Sequence, residues 1–336
     1  MTSKSIVIIL APPGNAGTRL TSALNTIFHG DTPPSDVLLP VSQQVIDQLE
    51  MDPLAPFSVG KKALTDEALR ENRLQARRIA LALRERDLPV IHHHPSTSLV
   101  IPFWRDAFDS DDFKLKMILI GTNALESREY LLGSTDLKAP TAMMVWAQSM
   151  LHGLNNSSKN VILTQNNRLL AKPEDTLLDL VNSLGLQAPD DLDARLSKAA
   201  QRIKDGDQSE RAYTRRDVSR DNTLPRFIKE LDHFSSNNFQ NDTLSDKARN
   251  LLTPLFETYD EFGFFLSGAQ AVSQSNHSLL ARIEEANSVA ARLDEANKSL
   301  EEKLDSATKH NTALSEQNSS LEQDANRYAT IMTRRV

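Results

Sequence analysis

Residues 5–27 read Ser5-Ile-Val-Ile-Ile-Leu10, then Ala11-Pro-Pro-Gly-Asn-Ala-Gly-Thr18, then Arg19-Leu-Thr-Ser-Ala-Leu-Asn-Thr-Ile27. The first part is an apolar, β-branched run, which is typical of a buried strand. The second part is a loop of small residues, and the third part has the spacing of a helix. Loop N–H groups and the positive end of the helix dipole converge where such a loop meets its helix. The stretch therefore predicts a cradle for an anion.

Short apolar runs alternate with helical patterns over the residues that follow. We expect further strands at 88–91, 116–121 and 160–164, and helices at 66–86, 98–108, 124–132, 141–154 and 173–184. This alternation is typical of a parallel sheet that helices cover on both faces, so the predicted fold class is α/β with three layers. Ligands of such sheets bind at the carboxyl ends of the strands. Residues 14–18, 92–94 and 121–123 should therefore lie at one edge.

Two later segments complete the predicted domain organisation. Residues 203–247 are polar and hold few large apolar groups, which predicts a loop or lid, or a solvated connection. Residues 250–265 return to an apolar helical pattern. We expect an α/β domain over 1–268 and a coiled coil over 269–336.

From about residue 272 the chain contains neither proline nor glycine and carries an unbroken apolar heptad. One seam position holds Leu279, Ala286, Leu293, Leu300, Ala307, Leu314, Leu321 and Tyr328, and the other holds Ile283, Ala290, Asn297, Leu304, Asn311, Asn318, Ala325 and Met332. Leucines at one seam position and asparagines at the other favour a parallel two-stranded coiled coil, because buried asparagines pair in register. We expect a homodimer through residues 272–332. A single solvated helix, or an antiparallel helix that folds back on its own domain, are the alternatives.

Composition excludes several classes of function. The net charge of −7 argues against a general nucleic-acid binder, which needs a basic face. The absence of cysteine excludes disulfides, thiolate metal sites and cysteine nucleophiles. The first apolar run is too short for a signal peptide or a membrane span, so we expect a cytoplasmic protein without a membrane span.

The order and spacing of several motifs over about residues 5–190 resemble bacterial sulfotransferases. The first loop is similar to the family loop in which a basic residue followed by Ser-Gly-Thr binds the 5′-phosphosulfate of 3′-phosphoadenosine 5′-phosphosulfate. Pro95 with the apolar run to Trp104, the run 117–120 with Ser127, Trp146, and Leu184-Gly-Leu186 follow in family order.

The resemblance implies a sulfotransferase fold of the P-loop type and 3′-phosphoadenosine 5′-phosphosulfate as cofactor. The residues expected to bind this donor are Gly14, Asn15, Ala16, Gly17, Thr18, Arg19 and Ser127. Arg19 is included because it follows the loop directly and can reach an anion at the helix start; a plain surface role is the alternative.

The catalytic base is expected among the three histidines 92–94. Transfer to a hydroxyl requires a base for the hydroxyl proton, and histidine suits this role near neutral pH. His94 is the first candidate and His92 the second, and a polar strand end without chemistry is the alternative. No metal site is expected, because neighbouring residues on a strand point to opposite faces.

Several positive charges of the family motifs are absent here. The basic residue of the first loop falls on Asn15, its serine falls on Ala16, and the arginine for the 3′-phosphate falls near Gly121. A charge-assisted hydrogen bond contributes about 1.5–3 kcal/mol, so these losses would weaken donor binding. Arginines of the polar segment are candidates to replace them from a lid, or else belong to a solvated loop; they are Arg215, Arg216 and Arg220.

Two functional hypotheses follow from these observations. In the first, the chain transfers a sulfuryl group from 3′-phosphoadenosine 5′-phosphosulfate to a hydroxyl acceptor such as a carbohydrate. In the second, it is a catalytically inactive descendant whose sheet persists as a scaffold and whose coiled coil dimerises and docks partners.

Overall fold

One parallel sheet forms the centre of the α/β part of the chain. The computed structural model describes residues 3–30, 36–52, 54, 67–82, 88–156, 161–206, 213–239, 248 and 250–333. The strands are β1 (Lys4–Leu10), β2 (Val90–His93), β3 (Phe113–Gly121) and β4 (Val161–Gln165). Their order in the sheet is β2-β1-β3-β4, and all neighbouring strands are parallel. The predicted α/β class is confirmed.

Helices connect the strands and follow the last of them. They are α1 (Ala16–His29), α2 (Leu39–Gln48), α3 (Arg70–Ala82, preceded by a 3₁₀ turn Glu67–Leu69), α4 (Ile101–Ala107), α5 (Ala124–Ser134), α6 (Ala139–Asn156), α7 (Asn166–Ala171), α8 (Pro173–Leu184), α9 (Leu192–Gly206), α10 (Arg215–Arg220), α11 (Arg226–Asn238) and α12 (Thr253–Thr333). Contacts divide the chain into two units, Met1–Ser267 and Gly268–Val336.

Side chains of β1 alternate between two apolar cores, one on each face of the sheet. Ile6 and Ile8 belong to the core that α2, α3, α4, α6 and α11 cover. Val7 and Ile9 belong to the core that α1, α8 and α9 cover. Because both faces are covered, the strands consist of nearly continuous apolar runs. The predicted three-layer arrangement is therefore confirmed.

Strand β2 begins two residues later than its apolar pattern predicts. It spans Val90–His93, and His92 and His93 pair with Ile8 and Ile9 of β1. Pro89 has no N–H group to donate to the sheet, so regular pairing starts after it. The expectation that all three histidines follow the strand is therefore wrong for His92 and His93, which lie within it.

The polar segment 203–247 contains helices, so its interpretation as a loop is wrong in those parts. Helix α9 extends to Gly206, and α10 and α11 follow within the segment. Helix α11 buries apolar side chains at helical spacing, namely Phe227, Ile228, Leu231 and Phe234. Three or four apolar residues per two turns suffice to dock a helix that is otherwise polar. Residues 207–212 and 240–247 lie outside the described residues.

The long C-terminal helix that the heptad predicts is present as α12. Its side chains are exposed throughout 282–327, including Leu300 at 61 % and Leu304 at 69 %. Leu279, Tyr328 and Met332 lie outside the side chains that the structure describes. Pairing of α12 with a second helix stays a prediction. None of the described helices combines the length and the apolar character that crossing a bilayer requires.

Candidate functional site

A cavity of about 400 Å³ lies where the loops after β1 and β3 meet. In the strand order β2-β1-β3-β4, the connection after β1 leads toward one edge of the sheet and the connection after β3 leads toward the other. Ligands of such sheets bind between the two strands at which the connections diverge, here β1 and β3. Gly14, Asn15 and Ala16 line the cavity from the first loop, and Thr122 and Ser127 line it from the second. We call it the switch-point cavity. It brings together four of the seven residues that the sequence predicts for donor binding.

The loop after β1 directs the beginning of α1 toward this cavity. Gly14 adopts a φ of 146°, which favours glycine. Asn15 occupies the N-cap position without a side-chain cap hydrogen bond, and the first turn of α1 holds no acidic residue. The first N–H groups of a helix have no partner within the helix, so this end of α1 suits an anion.

Gly17 is covered by a side chain rather than open to the switch-point cavity. A Cβ atom at Gly17 would lie 2.2 Å from the imidazole of His93, so only glycine allows this contact. The His93 ring is fixed by its Nδ1, which donates to the carbonyl oxygen of Ile9 at 3.1 Å. Burial lowers the pKa of His93 to about 4. His93 is therefore neutral at pH 7 and adds no positive charge beside α1.

Ser127 is held by a buried hydrogen-bond chain at the far side of the cavity. Its hydroxyl lies 2.9 Å from the Thr122 hydroxyl, and the indole N–H of Trp146 donates to Thr122 Oγ1 at 3.2 Å. Because the indole N–H is only a donor, it fixes Thr122 as an acceptor on that side. Trp146 of α6 thus contacts a residue that lines the cavity.

Carboxylates line the same cavity, and the sequence analysis did not single them out. Glu126 and Glu129 of α5 both face it. The Asn166 amide donates to Glu126 at 3.3 Å and accepts from Arg19 at 2.9 Å. The Asn166 amide therefore links Arg19 to the cavity residue Glu126.

Thr18 and Arg19 line a neighbouring space, which we call the α1–α9 cleft. It has a volume of about 260 Å³ and is also lined by Asn15 and Arg202. The predicted donor-binding residues thus divide into three groups. Four line the switch-point cavity, Thr18 and Arg19 line the cleft, and Gly17 packs against His93.

A carboxyl group of α11 occupies the N-terminus of α5. Asp232 Oδ1 accepts from the Ala124 N–H at 3.0 Å, while Oδ2 is buried without a hydrogen-bond partner. Burial raises the pKa of Asp232 to about 6, against the opposing effects of this hydrogen bond and of Arg215. These two partners are 108 residues apart, so no local pattern predicts the contact. The helix end beside Ser127 therefore already holds an internal acid.

His92 belongs to a buried Ser-His-Asp arrangement. Its Nε2 lies 2.8 Å from the hydroxyl of Ser42, and its Nδ1 lies 2.9 Å from the carboxylate of Asp36. Burial would raise the pKa of Asp36, but the hydrogen bond and charge of His92 outweigh it and lower this pKa. Ser42 and His92 are 1 % and 0 % exposed, so a substrate cannot reach the hydroxyl. The arrangement joins α2 to β2, and the sequence did not reveal it because its members are 50 and 56 residues apart.

His94 is turned toward its own loop. Its Nδ1 accepts from the Ser96 N–H at 3.2 Å, which assigns the proton of the neutral ring to Nε2. A base needs a free lone pair, so His94 must leave this hydrogen bond to act as one. No described residue that lines the switch-point cavity is a histidine. The role of His94 or His92 as base stays a prediction.

A third cavity, of about 390 Å³, lies beyond Thr122 at the ends of β3 and β4. We call it the β3–β4 cavity. Thr122 lines both this cavity and the switch-point cavity, so the two adjoin. Arg168 and Arg215 line the β3–β4 cavity, and Arg215 is one of the arginines expected to replace the missing positive charges.

These features define an α/β domain with a cavity at the switch point of its parallel sheet. The chain is similar in structure to the sulfotransferase domain from the Synechococcus PCC 7002 olefin synthase, with 16 % identity and a TM-score of 0.39 over 76 % of this chain and 95 % of that domain. It is also similar to the sulfotransferase domain from the curacin biosynthetic pathway, with 15 % identity and a TM-score of 0.40. This similarity covers 76 % of this chain and 98 % of that domain. Both domains are of the class that the motif resemblance names. No protein-family model matches the chain, and no curated protein matches it.

Proposed function

We propose that the α/β unit is a sulfotransferase-like domain that binds 3′-phosphoadenosine 5′-phosphosulfate and transfers its sulfuryl group to a hydroxyl acceptor, such as a carbohydrate. One observation carries the proposal. Gly14, Asn15, Ala16 and Ser127, which the motif resemblance assigns to the donor, line a single cavity. They come from two loops more than 100 residues apart in the sequence.

The residues of the switch-point cavity suit one part of the donor. The N-terminal end of α1 supplies N–H donors and a positive dipole for the phosphosulfate, and the hydroxyl of Ser127 supplies a further polar contact. When bound, the donor contributes the sulfuryl group itself. The chain would orient the donor through Asn15 and Ala16, which line the cavity at the start of α1.

A second candidate function, a catalytically inactive scaffold, is favoured by charge. Glu126 and Glu129 line the cavity, and Asp232 occupies the N-terminus of α5. A carboxylate near a phosphate repels it by several kcal/mol where the local dielectric constant is low. In this alternative the cavity is a remnant, and the function lies in the assembly of the chain.

Calorimetry of the full chain with 3′-phosphoadenosine 5′-phosphate separates the two candidates. Micromolar binding is expected for the enzyme, and no heat at millimolar concentration is expected for the scaffold. Glu126→Gln keeps an acceptor for the Asn166 amide and removes one repulsive charge, so it should tighten binding about tenfold. Asn15→Asp places a carboxylate beside the phosphosulfate and should abolish binding, although aspartate is itself a good N-cap residue. Asn222→Asp, which is exposed and lines none of the three cavities, is the matched control.

We also propose that α12 pairs in parallel with the α12 of a second copy of the chain. The seam leucines are exposed in the single chain, and burying them would be favourable. The flanking charges support the parallel direction. One flanking row holds Asp294, Glu301 and Glu322, and the other holds Arg282, Lys303 and His310, with Asp324 as the exception. A parallel pair places unlike rows opposite each other, whereas an antiparallel pair places the acidic row against itself.

A further inference from the structure

The β3–β4 cavity and the adjoining switch-point cavity have opposite charge. Arg168 and Arg215 line the β3–β4 cavity, and none of its described lining residues is a carboxylate. Glu126 and Glu129 line the switch-point cavity, and none of its described lining residues is basic. The two cavities meet at Thr122, and two arginines line the cavity on the β4 side.

Both arginines are positioned at this cavity by neighbouring side chains. Arg168 donates to the carboxylate of Asp179 at 2.8 Å, and both of these side chains remain partly exposed. Arg215 donates to Asn237 Oδ1 at 3.3 Å and to His233 Nε2 at 3.2 Å. Neither partner of Arg215 is a carboxylate, so they orient the guanidinium without forming an ion pair with it.

Side-chain amides also line the β3–β4 cavity. They belong to Asn123, Gln165 and Asn167, and each carries an amide N–H₂ that can donate to an oxygen atom. The Gln165 amide already donates to the carbonyl oxygen of Ser235 at 2.5 Å, which ties α11 to the end of β4. Two guanidinium groups and several amide donors lining one cavity are the chemistry that recognises a carboxylate, phosphate or sulfate.

We propose that the β3–β4 cavity is an oxyanion subsite in which Arg168 and Arg215 bind an anionic group of the ligand that enters beside Thr122. Two sources supply this chemistry, namely a phosphate of the donor or an acidic group of the hydroxyl acceptor. The inference rests on the proposed function only for the source of the anion. The subsite itself is defined by Arg168 and Arg215, which are not among the residues that carry the proposed function.

The test measures sulfate binding to the full chain through the sulfate-dependent rise in Tm, with sodium chloride at matched ionic strength as the reference. Arg168→Gln and Arg215→Gln should each weaken sulfate binding about tenfold, because each removes one charge-assisted contact. Arg216→Gln is the matched control, since Arg216 is the exposed neighbour of Arg215 and lines none of the three cavities. Equal sulfate dependence in all three variants would overturn the proposal.

Two further probes identify the source of the anion. If the acceptor supplies it, glucuronate should bind and glucose should not, and Arg215→Gln should remove the difference. If the donor supplies it, Arg215→Gln should weaken 3′-phosphoadenosine 5′-phosphate while glucuronate stays unbound. Sulfate binding that depends on both arginines in a chain that does not bind 3′-phosphoadenosine 5′-phosphate would uphold the subsite and reject the proposed enzyme. If neither arginine substitution changed the binding of any probe, the subsite would be rejected, and the proposed enzyme would not be affected.

Discussion

Asp232 is a carboxyl group that the fold holds where its ionisation is unfavourable. Its pKa is about 6 in the folded chain against 3.8 in the unfolded chain, so the folded state binds more protons between these values. The contribution of Asp232 to stability therefore falls as pH rises from about 4 to 6. Asp232→Asn keeps an acceptor for the Ala124 N–H and removes the charge. We expect it to raise the free energy of unfolding at pH 8 by about 1–3 kcal/mol and to leave it unchanged at pH 4.

Urea unfolding at the two pH values measures this effect, and Asp221→Asn is the control. Hydrogen bonds from Thr223 and Arg128 lower the pKa of Asp221, against a smaller effect of its partial burial. Removing its charge should therefore lower the free energy of unfolding at pH 8, opposite in sign to Asp232→Asn. A gain from Asp232→Asn that persists at pH 4 would show that burial of the charge is not its cause.

Gly17 and His93 form a close contact whose energy can be isolated. A Cβ atom at residue 17 would overlap the imidazole, so Gly17→Ala should lower the free energy of unfolding by about 1–3 kcal/mol. In a His93→Ala background the space is open, and the cost of Gly17→Ala should shrink to a few tenths of a kcal/mol. Denaturant titration of the four chains measures the coupling. Additive costs would indicate that the penalty comes from the backbone of residue 17 and not from the ring.

At the residue scale, the sequence predicted which residues meet at the ends of β1 and β3, while their role in donor binding stays a prediction. Gly14, Asn15, Ala16 and Ser127 meet because the carboxyl ends of parallel strands share one edge of the sheet. The acidic residues were not predicted. Glu126 lies in an ordinary helical stretch, and Asp232 reaches the site only through the docking of α11. Such contacts depend on tertiary packing, which a single sequence does not encode in any local pattern.

Among the secondary-structure elements, β-branched runs predicted the strands well, whereas the polar segment was misread. The mean polarity of 203–247 concealed α11, in which Phe227, Leu231 and Phe234 recur at helical spacing. Their positions, rather than the average composition, carry the signal for an amphipathic helix. Strand β2 begins later than the sequence predicts, because Pro89 extends the apolar pattern but has no N–H group to join the hydrogen-bond ladder of the sheet.

Helix α2 is joined to strand β2 by the carboxylate of Asp36. This carboxylate accepts from His92 Nδ1 at 2.9 Å, from the His93 N–H at 3.2 Å and from the Leu38 N–H at 3.1 Å. Asp36→Ala would leave the buried imidazole of His92 without its acceptor. We expect the free energy of unfolding to fall by about 2–3 kcal/mol, as is typical when a buried donor loses its partner.

Chemical denaturation at pH 7 measures the effect of Asp36→Ala, and Asp47→Ala within α2 is the control. Asp47 is exposed and accepts a hydrogen bond from Gln43, so its loss should change the free energy of unfolding by less than about 0.5 kcal/mol. Equal losses from the two variants would show that Asp36 does not couple α2 to β2.

At the scale of the whole molecule, α12 presents more apolar surface than a single helix in water accounts for. Leu293, Leu300, Leu304 and Leu321 are all more than half exposed, at 59 %, 61 %, 69 % and 59 %. They recur at the two seam positions of the heptad, interrupted by asparagines at one of them. Leucine seams supply the energy of pairing, and asparagines in the same seam restrict its register at some cost in stability.

Sedimentation of the full chain tests the pairing, which should appear as a concentration-dependent dimer. Leu300→Glu combined with Leu304→Glu removes four seam leucines from the pair and adds charge to the seam. We expect the dimer to weaken roughly a thousandfold or more, since each buried leucine contributes about 1.5–3 kcal/mol. Ser299→Glu combined with Ser306→Glu adds the same charge outside the seam and should leave the dimer intact. If the unsubstituted chain sediments as a monomer, a second copy is excluded as the partner of α12. If both double variants weaken the dimer equally, the effect comes from net charge rather than from the seam.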